Sequence, residues 1–148
     1  AKQHLESLTT MTKTNNLSNV TVVPYAVSNN NGRTKFYHNP NQTAFTLSEN
    51  SKNDKFEEVE TITIDSLFDK YKIDHVDLLK LDVEGEEGKV INSEGFKKVS
   101  PKIKVIAGEY HDWSGVSQMN FQHAFEDLGF HFKWRFDTQA KVFEATRL

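Results

Sequence analysis

The chain has 148 residues, of which 36% are hydrophobic and 11% aromatic, a composition that suits one domain and favours a globular fold over a disordered one. Its formal net charge of −3, from 18 basic and 21 acidic residues, gives no indication of a nucleic-acid or anionic-membrane partner. Because the chain has no cysteines, disulfides, thiolate nucleophiles and cysteine-ligated metals are excluded. No apolar run is as long as a membrane span and no signal-peptide core follows Ala1, so we expect a cytoplasmic location.

The first part of the chain predicts one helix and two strands. Apolar residues at every third position predict a surface helix over residues 2–15. β-Branched residues predict a strand over residues 20–27, and Pro24 should interrupt it or confine it to an edge. The Asn-rich turn at 29–32 leads to a returning strand over 34–37.

A polar stretch over residues 38–55 predicts a long loop, which is followed by a strand and a helix. Alternating apolar residues predict the strand over 57–64. Helical spacing of apolar residues then predicts a helix over 64–71, for which Asp65 is the expected N-cap.

The middle of the chain predicts two buried strands. The first, over residues 76–81, is followed at once by the acidic segment 82–85 and a helical stretch over 86–91. A break is expected at 92–95. The second core strand, over 102–107, leads into residues 108–112, which carry a second group of acids.

The last part of the chain predicts a helix and an antiparallel hairpin. Ser117 should cap the helix and Gly129 should end it. Strict alternation predicts a strand over 130–136, and residues 141–145 should return beside it. Helix–strand alternation followed by this hairpin favours an α/β fold, with a mainly parallel sheet extended by antiparallel strands, in a single domain over residues 1–148.

Two acidic segments occupy the positions where open α/β sheets bind ligands, beyond the carboxyl ends of the strands. If their strands are neighbours, Asp82 and Glu109 face one crevice. A carboxylate leaving a buried strand needs a partner, and for Asp82 this is a ligand ammonium, a metal or backbone N–H groups. Glu84 can instead stabilise the start of the next helix, and His111 has the pKa range of a general base.

Several common site motifs are missing from the sequence. It has no phosphate-binding Walker loop, no G-x-G-x-x-G and no G-x-S-x-G elbow. Its six histidines do not have H-E-x-x-H spacing, so no resident metal is predicted.

Three segments together resemble one known family. Residues 60–67 (ETITIDSL) and 73–86 (IDHVDLLKLDVEGE) are similar to the signature region of FkbM-type methyltransferases, in which DVEG ends the fourth strand. Upstream, residues 25–28 (YAVS) followed by Gly32 resemble the segment after the third strand of that family. Downstream, residues 106–111 (IAGEYH) are similar to its fifth-strand E-x-H end.

The resemblance implies a Rossmann-like class I methyltransferase fold and methyl transfer from S-adenosylmethionine, by O-methylation of a small hydroxylated acceptor such as a sugar or secondary metabolite. It places Tyr25 and Ala26 near the adenine, with Ala26 acting through its backbone, and Asp82 near the transferred methyl group. It makes Glu109 and His111 acceptor contacts. His111 is the first candidate for a general base and Asp82 the second.

The family's glycine loop and ribose-binding acid belong to two βα units that we do not find in this sequence. We therefore expect a fragment, a protein that has lost methyl transfer, or a second chain that supplies the strands. The strand over 76–81 should then expose one edge and favour homo-oligomers. Two alternative functions follow: a non-catalytic remnant that assembles through this edge, and a metal-dependent hydrolase that uses Asp82, Glu84 and Glu109.

Overall fold

The computed structural model describes residues 2–38, 45–46, 55–135 and 141–147. Its elements are, in chain order, α1 (Lys2–Thr14), β1 (Ala26–Val27), β2 (Gly32–His38), β3 (Phe45–Thr46), β4 (Lys55–Ile62), α2 (Ile64–Tyr71), β5 (Val76–Leu81), α3 (Glu87–Ile91), α4 (Glu94–Val99), a 3-10 turn (Ser100–Lys102), β6 (Ile103–Tyr110), α5 (Gln118–Glu126), β7 (His131–Arg135) and β8 (Lys141–Thr146).

The described strands form two four-stranded sheets rather than the one sheet that we expected from the sequence. The first sheet has the order β1-β4-β2-β3, and β1 and β4 are its parallel pair. The second has the order β5-β6-β8-β7, with β5 parallel to β6 and the C-terminal hairpin antiparallel beside them. The fold is mixed α/β as predicted, and β5 is an edge strand, as expected.

The main core lies on one face of the second sheet. Alternate residues of its strands point to this face, and fully buried phenylalanines of α5 pack against them. Phe121 and Phe125 lie 5.0 and 5.4 Å from the ring of Phe143 in β8, measured between ring centroids. Helix α2 adds Ile64 and Phe68 to the same core.

The first part of the chain is less buried. Helix α1 has the predicted position and no buried residue. The predicted strand over residues 20–27 is correct only for Ala26 and Val27, because residues 20–25 have no sheet partner and Pro24 lacks the N–H that a ladder needs. The returning strand is confirmed as β2. Of the predicted loop over 38–55, the structure describes His38, the short strand β3 and the start of β4, and the rest lies outside the described residues.

Several predicted boundaries are wrong. Strand β4 runs over Lys55–Ile62 rather than over 57–64, because Thr63 already caps the next helix. Thr63, not Asp65, is the N-cap of α2, because the Thr63 hydroxyl accepts a bond from the backbone N–H of Ser66. The break expected at 92–95 contains the start of α4, where Ser93 is the N-cap and accepts from Phe96 N. Strand β6 continues to Tyr110, so Glu109 lies within the strand rather than after it.

Helix α5 follows its predicted N-cap Ser117, and Gly129 has a positive φ of 81° just beyond the helix, as its predicted stop requires. The closing hairpin is also confirmed over β7 and β8, while residues 136–140 lie outside the described part. None of the helices that the structure describes has the length and apolar character needed to cross a bilayer.

Candidate functional site

The predicted cleft lies where the parallel strands β5 and β6 end side by side. Leu81 is the register partner of Gly108, so Asp82 and Glu109 follow at the same end of adjacent strands. The strands approach closely here, since a β-carbon on Gly108 would lie 1.9 Å from the carbonyl oxygen of Leu81. The expectation that Asp82 and Glu109 share one end of the sheet is confirmed.

His111, one residue after β6, lies between two glutamates. Its Nδ1 is 2.9 Å from Glu87 Oε1, and its Nε2 is 3.5 Å from Glu84 Oε2. The His111 side chain is 13% exposed, so it is accessible to a small molecule yet largely surrounded by protein. The candidate base is therefore inside the predicted cleft, with one ring nitrogen anchored.

Glu87 is the anchor, and sequence reasoning missed it. Its carboxylate is fully buried and accepts bonds from the backbone N–H groups of Val83 at 3.0 Å and of Gly85 at 3.1 and 3.2 Å. These two donors and the His111 ring compensate the charge that burial would otherwise penalise. The only sequence signal was a second glutamate directly after Glu86, which we read as helical composition.

The loop between β5 and α3 has an unusual backbone. Glu84 has a φ of 51° and Gly85 a φ of 100°, both in the left-handed region that most residues avoid. Gly85 also permits the approach of Trp113, because a β-carbon there would lie 2.4 Å from Trp113 Cδ1. The turn folds the acidic loop back so that the Glu87 carboxylate meets the N–H groups of Val83 and Gly85.

Trp113 forms one wall of the cleft. Its ring lies 4.8 Å from that of His111, and its Nε1 donates to the Glu84 carbonyl oxygen at 3.3 Å. It is half exposed, as a wall residue would be. Tyr110, in contrast, is a core residue whose hydroxyl donates to the Val116 carbonyl oxygen at 2.5 Å.

The charges in the cleft shift two pKa values upward. The hydrogen bond that His111 donates to Glu87 raises the pKa of His111 against the opposing effect of burial, and the charges of Glu84 and Asp82 raise it further. Burial raises the pKa of Glu84, and the negative charges of Asp82, Glu87 and Glu109 add to this, while His111 opposes it. The cleft therefore holds a surplus of negative charge.

Asp82 has a nearby cation. Lys80 Nζ lies 2.6 Å from Asp82 Oδ2, and this hydrogen bond raises the pKa of Lys80. Glu109 is half-buried and adds its charge to both Lys80 and Glu84. The ionic partner of Asp82 in the structure is thus a neighbouring lysine, a possibility that the sequence reasoning did not include.

A second buried glutamate connects the cleft to the first sheet. Glu86 is 2% exposed, and its Oε2 accepts a 2.7 Å bond from the hydroxyl of Ser28, which directly follows β1. Lys89 binds the other carboxylate oxygen at 2.5 Å. Ser28 was part of the sequence resemblance, but its partner could not be read from the sequence.

Tyr25 and Ala26 lie elsewhere, on a largely apolar cavity of about 340 Å³ between α1 and the first sheet. Leu5, Leu8, Val23 and Phe36 line the same cavity. The Tyr25 hydroxyl accepts a hydrogen bond from Lys70. The structure thus gathers Asp82, Glu109 and His111 at one cleft, and it places Tyr25 and Ala26 at a separate cavity on the same β1 segment that ends at Ser28.

Three side chains of the cleft could hold a metal ion. Asp82, Glu84 and His111 each offer one ligand atom, and these atoms lie within 4.8 Å of one another. The sequence had suggested a hydrolase set with Glu109 as third member, whereas in the structure His111 takes that place. The same arrangement can hold an acceptor hydroxyl and help it lose its proton.

Comparison with known proteins gives one family. The family model described as the Methyltransferase FkbM domain matches residues 4–134, which include the first sheet, β5, β6, most of β7, the acidic loop and the cleft. No curated protein and no solved structure gave a significant match.

Proposed function

The chain belongs to the FkbM methyltransferase domain family, and from this we propose that it transfers a methyl group from S-adenosylmethionine to an oxygen of a small hydroxylated acceptor. A sugar or a hydroxylated secondary metabolite is the class of acceptor that we propose. The observation that carries the proposal is the cleft itself, in which His111 and Asp82 lie together at the end of β5 and β6, where α/β sheets bind their ligands.

Two separate places on the chain have features that suit different parts of the cofactor. The apolar cavity beside Tyr25 and Ala26 has room for an adenine ring, and aromatic and apolar walls are typical of such sites. At the other end, a surplus of carboxylates around Asp82 suits the positive charge of a sulfonium. When bound, S-adenosylmethionine supplies an electrophilic methyl group on that sulfonium.

The chain's own contribution is to position the acceptor and help its hydroxyl lose a proton. Glu109 and His111 face the same end of the sheet as Asp82 and are proposed to bind the acceptor. Trp113 covers one side of His111 and limits access of water. In-line transfer depends chiefly on such positioning, and assistance with the proton adds about 10²–10⁴-fold.

Isothermal titration with S-adenosylhomocysteine tests cofactor binding. We expect saturable binding of S-adenosylhomocysteine to the wild-type protein. Asp82→Asn should weaken binding of S-adenosylmethionine, whose sulfonium carries a positive charge that the sulfur of S-adenosylhomocysteine lacks. The matched control is Asp112→Asn, which removes an equal charge from a residue that pairs with Lys141 instead, and it should bind like the wild type. Absence of any binding at millimolar concentration would overturn the proposal.

Transfer of a labelled methyl group to a panel of hydroxylated sugars and phenols tests the reaction. His111→Gln should lower turnover by about 10²-fold or more while S-adenosylhomocysteine still binds. The wild-type protein could bind S-adenosylhomocysteine and methylate amines or carboxylates but no hydroxyl in the panel. That result would contradict methylation of a hydroxyl oxygen.

A second candidate role is assembly through the edge of the second sheet. Among the described strands β5 pairs with β6 alone, and Leu78 in β5 is 61% exposed. An open edge with an exposed leucine can pair with a second copy of the chain. Light scattering should then show dimers at high concentration that Leu78→Lys abolishes; monomers throughout would rule this role out.

A further inference from the structure

The spacing of the cleft side chains points to a ligand between them. His111 Nε2 and Glu84 Oε2 are 3.5 Å apart, beyond the usual range of a strong hydrogen bond. Two ligands bound at about 2.1 Å to one cation lie about 3 Å apart in octahedral and about 3.4 Å apart in tetrahedral geometry. The ligand atoms of Asp82, Glu84 and His111 all lie within 4.8 Å of one another, so small side-chain movements would let one cation contact all three.

The orientation of His111 is fixed from outside this group of three. The fully buried carboxylate of Glu87, itself held by the backbone N–H groups of Val83 and Gly85, accepts from Nδ1. The Nδ1 proton is thereby used, and Nε2 lies on the Glu84 side of the ring, where it can bind a cation once it is unprotonated. A carboxylate behind the imidazole is the usual support of a metal-binding histidine, since it sets the ring orientation and makes the ligand more basic.

The charge balance of the cleft also favours a cation. The negative charges of Asp82, Glu87 and Glu109 all act on Glu84, and Lys80 is the cation that binds Asp82. Lys80 binds Asp82 at Oδ2, which leaves the second oxygen of that carboxylate for another partner. Because Lys80 is 69% exposed at its side chain, it can move aside for a doubly charged ion.

We propose that Asp82, Glu84 and His111 bind a divalent cation of the manganese type, and that an acceptor hydroxyl binds the same cation during methyl transfer. One imidazole with two carboxylates suits a borderline divalent ion better than calcium, and the chain has no thiolate for a softer one. The proposal that these residues bind a cation is independent of the proposed function, whereas the role of the cation in catalysis rests on it.

The chemistry balances without a further reactant. A hydroxyl bound to a divalent cation loses its proton more readily, and that proton passes to water. The acceptor oxygen forms the new bond to the methyl carbon as the bond from carbon to sulfur breaks, and the electron pair stays on the sulfur. His111 then acts on the acceptor through the cation rather than by removing the proton itself.

Titration of EDTA-treated protein with Mn²⁺, followed by calorimetry and by the loss of the free-ion paramagnetic resonance signal, measures binding directly. We expect a single ion per chain. Asp82→Asn and Glu84→Gln should each weaken binding by about 10-fold or more. The control Asp112→Asn should bind like the wild type, and Lys80→Gln should bind more tightly because a competing cation is removed.

A spectroscopic measurement on the wild-type protein shows whether His111 is a ligand, even if a variant fails to fold. Electron spin-echo modulation of bound Mn²⁺ should contain coupling to an imidazole nitrogen, and His111→Gln should lose it. Binding without nitrogen coupling, equal weakening by Asp112→Asn, or absence of binding at millimolar Mn²⁺ would each overturn the site.

Methyl transfer measured with and without EDTA separates this inference from the proposed function. If EDTA does not reduce turnover and the protein does not bind Mn²⁺, the cation proposal is wrong and the methyltransferase proposal still stands. The opposite result is Mn²⁺ binding with nitrogen coupling in a protein that neither binds S-adenosylhomocysteine nor transfers methyl groups. It would support the cation site and contradict the proposed methyltransferase function.

Discussion

The two sheets of this molecule differ in how firmly they hold their candidate ligand sites. The cleft of the second sheet lies over the main core, and its central carboxylate, that of Glu87, is fixed by two backbone N–H groups. The cavity of the first sheet lies under α1, a helix without a buried residue, and Leu8 on its wall is 47% exposed. A reaction needs its groups held within a fraction of an ångström. The comparison therefore assigns positioning of the reacting atoms to the second sheet.

Gly108→Ala should have the largest effect, because it separates the strands that bring the cleft together. The added β-carbon would lie 1.9 Å from the Leu81 carbonyl oxygen, so backbone must move. We expect a loss of about 3–5 kcal/mol in the free energy of unfolding, measured with urea.

The control for this change is Gly115→Ala. Gly115, unlike Gly108, has a left-handed φ of 76°, but a β-carbon there meets nothing within 4 Å. It should lose only about 1 kcal/mol, from backbone strain. Equal losses in the two variants would show that the close strand contact does not set the stability of the cleft.

Glu87→Gln should have the next largest effect. An amide cannot accept from the backbone N–H groups of Val83 and Gly85 and from His111 as a carboxylate does, so we expect a loss of about 2–3 kcal/mol near pH 6. The control Glu94→Gln alters an exposed residue paired with Lys97 and should leave stability unchanged.

The loss in Glu87→Gln should depend on pH in a defined direction. The Glu87 bond raises the pKa of His111 above its unfolded value of 6.5, so this stabilisation is fully present below that pH and is lost as the pH rises through the folded-state pKa. The gap between wild type and variant, measured in EDTA, should therefore be larger near pH 6 than near pH 9. A gap that widens at high pH would mean that the bond to protonated His111 is not its source.

Elements defined by local pattern were predictable from the sequence, and partnerships at long range were not. The alternation of β7 and the apolar spacing of α2 gave both elements almost to the residue. Thr63 and Asp65 can both cap a helix, and only the backbone turn decides between them. The division into two sheets depends on which strands pair across the chain, which no local pattern contains.

The same distinction applies to the site. Asp82 and His111 were predictable because strand ends are where α/β sheets carry ligands, and the register of β5 against β6 confirms their placement. Glu87 was not, because its role exists only after Glu84 and Gly85 adopt positive φ and fold the loop back. The sequence signal for Glu87 is that it is the second of two acids that directly follow the turn glycine Gly85.

Ser28→Ala should have the smallest effect of the three, and it tests whether the first sheet influences the cleft. The change removes the 2.7 Å hydrogen bond to the buried carboxylate of Glu86, for which Lys89 remains as a partner, so we expect a loss of about 1–2 kcal/mol. Ser18→Ala, at an exposed turn, is the control and should change little.

The Mn²⁺ affinity of Ser28→Ala shows whether the two sheets act independently. If they do, the affinity will be the same in Ser28→Ala and wild type. If the Ser28 contact sets the position of α3, and through it of Glu87, the affinity will fall along with the stability, and the first sheet will have a share in positioning the reacting atoms.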